Sequence, residues 1–124
     1  MKVGNLKPGA RLRVVLAPKV AFGPGRADLL EGIRATGSIA AAGRRLGMSY
    51  TRAWKLARAI DADFGAKLIA KAKGGKRGGG ASLTKLGEEV LARYRRMERA
   101  TMKVVASDLA ALRRAVARRG PGSI

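Results

Sequence analysis

Two serines, Ser38 and Ser49, each stand just ahead of an apolar stripe of helical period, and Gly47 lies between them. No other feature constrains the fold as tightly. A serine at a helix N-cap accepts a hydrogen bond from a backbone N–H that the first turn leaves unpaired, and glycine takes the left-handed conformation in which helices often end. After Ser38, Ile39, Ala42 and Leu46 recur at helical spacing until Gly47; after Ser49, Ala53, Leu56, Ala57 and Ile60 form a second stripe that ends near Phe64-Gly65. Two helices joined by a three-residue turn, the second with a polar face, make a helix-turn-helix. Ala42, Leu46, Met48, Ala53 and Leu56 fill the places where such helices cross, and Gly43 and Gly47 are small where close approach and the turn require it.

The flanks supply the remaining parts. Residues 1–10, with Gly4, Pro8 and Gly9, have no clear period and predict a flexible basic arm. Arg11 to Leu16 begins with polar–apolar alternation and is β-branched, which predicts a short edge strand ended by Pro18. Gly23-Pro24-Gly25 predicts a turn, and Leu29, Leu30 and Ile33 a helix from about Ala27 to Ala35 that stops at Gly37. Lys67–Lys71 and Ala81–Leu83 predict the strands of a hairpin whose tip, Lys73 to Gly80, holds five glycines and three basic residues. Thr84 is the N-cap of a long helix in which Leu86, Val90, Tyr94, Met97, Thr101 and Val104 alternate spacings of four and three, a seam that wants a partner. The pattern slips at Asp108, resumes as Val105, Leu109, Leu112 and Val116, and stops at Arg118-Arg119-Gly120-Pro121. The expected fold is mostly α: a winged helix-turn-helix over residues 11–83 with a small β-hairpin wing, a long C-terminal dimerisation helix over 84–119, and a tail at 120–124.

Composition narrows the function. The chain has 124 residues, 27 Lys+Arg against 8 Asp+Glu and a formal charge of +19, yet 47% of its residues are apolar, so the charge sits on a chain able to bury a core. The partner it calls for is a polyanion. Cysteine and histidine are both absent, which removes disulfides, Cys/His zinc sites, thiol or imidazole catalysis and any Ser-His-Asp triad. Asp61 and Asp63 lie two apart on a helix and share no face, so no acid/base pair or metal site is expected. No enzyme activity and no cofactor are implied. The longest apolar runs, such as Val14–Ala17 and Ile39–Ala42, are four residues long, too short for a membrane span or signal-peptide core, so a cytoplasmic, nucleoid-associated protein is expected.

With Ala53, Leu56 and Ile60 turned inward, Tyr50, Thr51, Arg52 and Lys55 occupy the outer face near the start of the second helix, where base edges are reached in a major groove. Arg52 is the leading base reader, since arginine pairs bidentately with guanine; Thr51 or Tyr50 suits a thymine methyl or a phosphate. Ser38 and Ser49 sit at helix N-termini, where free amides favour a phosphate oxygen. Lys73, Lys76 and Arg77, among glycines and far from acids, suit the backbone or the minor groove beside that helix; by itself such a hairpin tip is more often a solvated loop. No Gly-Lys-Ser/Thr ending supports a nucleotide-binding loop there. Trp54 is expected in the core rather than stacked on a base, and Arg44 and Arg45 either meet phosphate or are simply solvated.

Leu29-Leu30-Glu31-Gly32-Ile33, Thr36-Gly37-Ser38-Ile39-Ala40-Ala41-Ala42, Leu46 to Trp54, Phe64-Gly65, the Gly74-Gly75 pair and Gly78-Gly79-Gly80 triplet, and Leu83-Thr84-Lys85-Leu86-Gly87-Glu88 together resemble the N-terminal domain of the molybdate-responsive ModE regulator family. The resemblance spans about residues 11 to 100, and Ser49-Tyr50-Thr51-Arg52-Ala53-Trp54 is its most specific part. It implies a DNA-binding domain similar to that of LysR-type regulators, dimerised partly through the long helix and gripping two half-sites of a palindromic operator. It assigns Ser49, Tyr50, Thr51, Arg52 and Lys55 to the recognition face and Lys73 to Gly80 to the wing. Full-length members of that family bind molybdate in small β-barrel domains after the helix; this sequence stops at Ile124, so no molybdate binding is expected in it.

The expected function is therefore sequence-specific recognition of duplex DNA by a homodimeric transcriptional regulator. The competing reading is a nucleoid protein that coats DNA without reading it, which the charge also suits. An RNA-binding module is disfavoured, because five aromatic residues leave little surface for stacking unpaired bases.

Overall fold

A computed structural model describes residues 7–71, 80–120 and 122 of the chain. Most of the expected arm, the wing tip with Lys73, Lys76 and Arg77, and most of the tail lie outside the described residues.

The elements follow one another as β1 (Val14–Ala17), β2 (Val20–Phe22), α1 (Pro24–Thr36), α2 (Ile39–Arg45), α3 (Tyr50–Phe64), β3 (Ile69–Lys71), β4 (Ala81–Leu83) and α4 (Lys85–Arg119). This is a winged helix-turn-helix, mostly helical with small antiparallel hairpins. The local signals of the central unit act as their chemistry dictates. Ser38 Oγ accepts from the Ala41 N–H and Ser49 Oγ from the Arg52 N–H, both at 3.1 Å. Gly47 carries the turn at φ 71°. A Cβ on Gly43 would stand 2.7 Å from the Ala53 Cβ, so only glycine lets α2 and α3 cross this closely.

Two expectations about the N-terminal flank need correction. The strand beginning at Arg11 is a hairpin: β1 pairs antiparallel with β2, Val14 opposite Phe22 and Val15 opposite Ala21, through a turn in which Lys19 adopts φ 64°. Gly23-Pro24-Gly25 does not form a separate turn. Pro24 opens α1, where its fixed φ suits the first helical position and its missing N–H costs nothing.

The short strand β2 matters because Phe22 is a hub of the core. Its ring meets Tyr94 edge-on at 5.1 Å and Phe64 at 6.2 Å. Around it Leu29, Leu30, Ile33, Ile60, Leu68 and Leu91 are fully buried, each burial stabilising by about 1.5–3 kcal/mol relative to exposure. The second hairpin pairs Ile69 with Leu83 and Lys71 with Ala81, and the Ala81 N–H donates to the Gly37 carbonyl at 2.8 Å, which fastens the wing root to the α1–α2 corner.

Thr84 caps α4 by accepting from the Gly87 N–H at 3.0 Å, and its own hydroxyl donates to the Lys67 carbonyl at 2.7 Å. The start of α4 is thereby tied to the wing. Gly87 lies against the chain there, and a Cβ at that position would collide with the Leu68 carbonyl oxygen. At 35 residues α4 extends about 50 Å, well beyond the domain it packs on.

The seam expected along α4 also needs correction. Tyr94 is 3% exposed and belongs to this chain's own core, where its hydroxyl donates to the Leu12 carbonyl at 2.6 Å. Val90 packs against the same core, while Leu86, Met97 and Val104 are exposed and Thr101 is half-buried. A four-three spacing identifies an apolar stripe without saying which surface covers it, and the first turns of α4 meet their own domain. Among the described residues no helix is long and apolar enough to cross a membrane.

Candidate nucleic-acid interface

The outer face of α3 follows from the burial of its inner one. Ala53, Ala57 and Ile60 are buried, which turns Tyr50, Thr51, Arg52 and Lys55 outward to solvent. Tyr50 is 57% exposed and adds an aromatic ring with a polar tip to this face. No side-chain hydrogen bond or ion pair holds Arg52 or Lys55 among the described residues. The structure therefore brings four of the expected contact residues together at the first turns of one helix, fixed in place by the Ser49 cap. Ser49 is exposed at that end, whereas Ser38 is half-buried at the start of α2 and spends its hydroxyl on the cap and its own N–H on Thr36 Oγ1.

The rest of the charge distribution sharpens this face. Arg95 is held by Asp28, Glu31 and Glu98, each at 2.9 Å, where α4 meets α1. Burial opposes its charge, but the hydrogen bonds it donates to Asp28, Glu98 and Glu31 outweigh that penalty and raise its pKa further. Arg26 pairs with Asp63, Arg34 with Glu88 and Arg93 with Glu89. Asp61 Oδ1 accepts the Leu68 N–H at 2.8 Å. Every carboxylate except the exposed Asp108 far along α4 is thus committed to a scaffold contact, and Asp61 and Asp63 serve separate structural bonds. The exposed cations of α2 and α3, Arg44, Arg45, Arg52, Lys55 and Arg58, form no ion pair with them.

Trp54 is neither fully in the core nor free. It is half-buried against the core, with the Arg58 guanidinium 4.8 Å and the Lys71 ammonium 5.8 Å from the ring centroid. Sequence reasoning named neither cation. The four-residue spacing of Trp54 and Arg58 on one helix was a signal for the first; Lys71 reaches the ring only because β3 folds back beside α3.

No protein-family model matches the chain. Molybdenum-pterin-binding protein MopB of Rhodobacter capsulatus is 42% identical over 86 residues, covering 69% of this chain and 32% of that protein. The DNA-binding transcriptional dual regulator ModE of Escherichia coli is 35% identical over 83 residues, covering 67% of this chain and 32% of that protein. The chain spans about a third of the length of the curated relatives it matches. Among solved structures, the CbnR DNA-binding domain in complex with DNA aligns with a TM-score of 0.56 at 25% identity, covering 71% of this chain and 95% of that one. Sequence and fold agree: the chain is similar to the N-terminal winged-helix domain of the ModE regulators.

Proposed function

We propose that this chain binds duplex DNA sequence-specifically as a homodimer and regulates transcription, with α3 as the recognition helix. The observation that carries the reading is the outer face of α3: Tyr50, Thr51, Arg52 and Lys55 exposed at a capped helix start, with no carboxylate paired to them. That face suits a major groove, where Arg52 reads a guanine edge and Tyr50, Thr51 and Lys55 meet neighbouring bases or phosphates. The relatives named as ModE regulators and the DNA-bound CbnR domain support it. Lys73, Lys76 and Arg77 extend the contact along the backbone as a wing. The apolar residues of α4 that the domain leaves exposed, Leu86, Met97 and Val104, supply the dimer contact and set two half-sites about 34 Å or a multiple apart. This is a binding function without catalysis, exercised in the cytoplasm on the nucleoid.

Selection from a random duplex pool at near-physiological salt tests the reading. A palindromic consensus is expected, with Arg52→Ala relaxing one position by about 1–3 kcal/mol while leaving non-specific binding in place. Enrichment of no motif, with binding that fades evenly as salt rises, overturns specific recognition in favour of a DNA-coating protein. Met97→Asp and Val104→Asp are expected to weaken both self-association and operator binding; unchanged sedimentation of both variants removes the dimer.

A further inference from the structure

The ring of Trp54 gathers two cations from different elements. Arg58 lies one turn further along α3 on the same side, and Lys71 is the last described residue of β3, where the chain leaves for the wing. Both cations are exposed. Like charges drawn to one ring repel each other, and the attraction of each to the ring face only partly offsets that. No ion pair neutralises them among the described residues: Asp61 accepts the Leu68 N–H and Asp63 pairs with Arg26. A pair of ordered, unneutralised cations is a ready seat for an anion. Its place decides which anion, because Thr51, Trp54 and Arg58 form the flank of α3 that borders the wing root, next to the proposed base-reading face.

We infer that Arg58, Trp54 and Lys71 form a phosphate-binding station at the root of the wing, in which the indole holds the two cations in position to grip the backbone of the strand that α3 reads. The inference rests on the duplex-DNA reading above. It adds a contact made by neither the start of α3 nor the wing tip, and it gives Trp54 a positioning role that core packing alone does not. The station contributes affinity to every sequence alike, since phosphates carry no base identity.

The test is binding of the full chain to a labelled random-sequence duplex by fluorescence anisotropy across a salt series. Arg58→Gln and Lys71→Gln are each expected to flatten the slope of log K against log salt by about 1, with Lys71→Arg keeping the wild-type slope. Trp54→Leu is expected to weaken binding about two- to fivefold when Arg58 is present and to add little once Arg58 is Gln, the non-additivity of residues acting as a unit. Thermal melts identify any variant whose fold is lost, and the surface pair Arg58 and Lys71 carries the decision in that event. An unchanged salt slope in the Arg58→Gln/Lys71→Gln double variant overturns the station. If Arg52→Ala still relaxes sequence preference in that case, the recognition reading stands without it; if the wild-type chain binds no duplex at all, both fall.

Discussion

The two parts of α4 share one helix and similar composition but meet different surroundings. In the first turns Gly87, Leu91 and Tyr94 are buried, Leu91 at 1% exposure, against Phe22, Leu68 and the wing root. Further on, Val104, Leu112 and Val116 are 81%, 66% and 53% exposed. The first part is a component of the domain's core. The second carries an apolar stripe that this chain does not cover, and the proposed dimer draws on Val104 from it beside Leu86 and Met97 of the preceding turns. The difference teaches that periodicity finds an apolar face, while the length of the domain underneath decides how much of that face is used internally.

The largest expected effect tests that division directly. Leu91→Ala should cost about 2–5 kcal/mol in chemical denaturation, whereas Leu112→Ala, with no cavity to create within the monomer, should change monomer stability by no more than about 0.5 kcal/mol. Equal losses would erase the distinction between the two parts.

Next comes Tyr94. Burial, with Glu98 adding to it, pushes its phenol up from 10.0 to about 12. A pKa raised in the folded state favours the neutral phenol, so its contribution is fully present below pH 10 and is lost as pH climbs to about 12. A shift of this size corresponds to a few kcal/mol at most. Tyr94→Phe should remove that alkaline slope while forfeiting the bond to the Leu12 carbonyl, worth about 1 kcal/mol. A wild-type and a Phe variant that lose stability in parallel between pH 10 and 12 would contradict the burial argument.

The smallest effect separates two arginines that lie close in sequence. Arg93 pairs with Glu89 at 3.0 Å on the solvent side, with side chains 65% and 55% exposed, and its replacement by Ala should cost only about 0.3–0.5 kcal/mol. Arg95, by contrast, ties α4 to Asp28 and Glu31 of α1. Arg95→Met should cost distinctly more, because it removes three charge-assisted hydrogen bonds at once and leaves three carboxylates repelling one another without their shared cation.

Much of this fold was legible because its signals are local. Ser38, Ser49 and Thr84 cap helices, Gly47 makes the turn, and the stripes of α2 and α3 meet where their spacing predicts. What escaped reading depends on contacts between distant residues. Val20-Ala21-Phe22 is too short to announce a strand, and a lysine at φ 64° is no conventional turn marker; Phe22 becomes a core hub only when Tyr94 and Phe64 arrive. Tyr94 fits a seam by spacing and a core by position. On the interface, the exposed face of α3 follows from its apolar stripe, but the approach of Lys71 to Trp54 exists only because β3 lies beside α3.

The sequence by itself determined the caps of α2, α3 and α4, the glycine of the turn between α2 and α3, the hairpin at the wing root and the polyanion-seeking charge of +19, since caps, glycines and net charge act within a few residues or by simple sum. Tertiary structure decided which apolar residues of α4 are core, which cations are neutralised by Asp28, Glu31, Asp63, Glu88 and Glu98, and which are left facing outward on α3. Burial and pairing depend on what other segments bring into contact, and no local pattern carries that information.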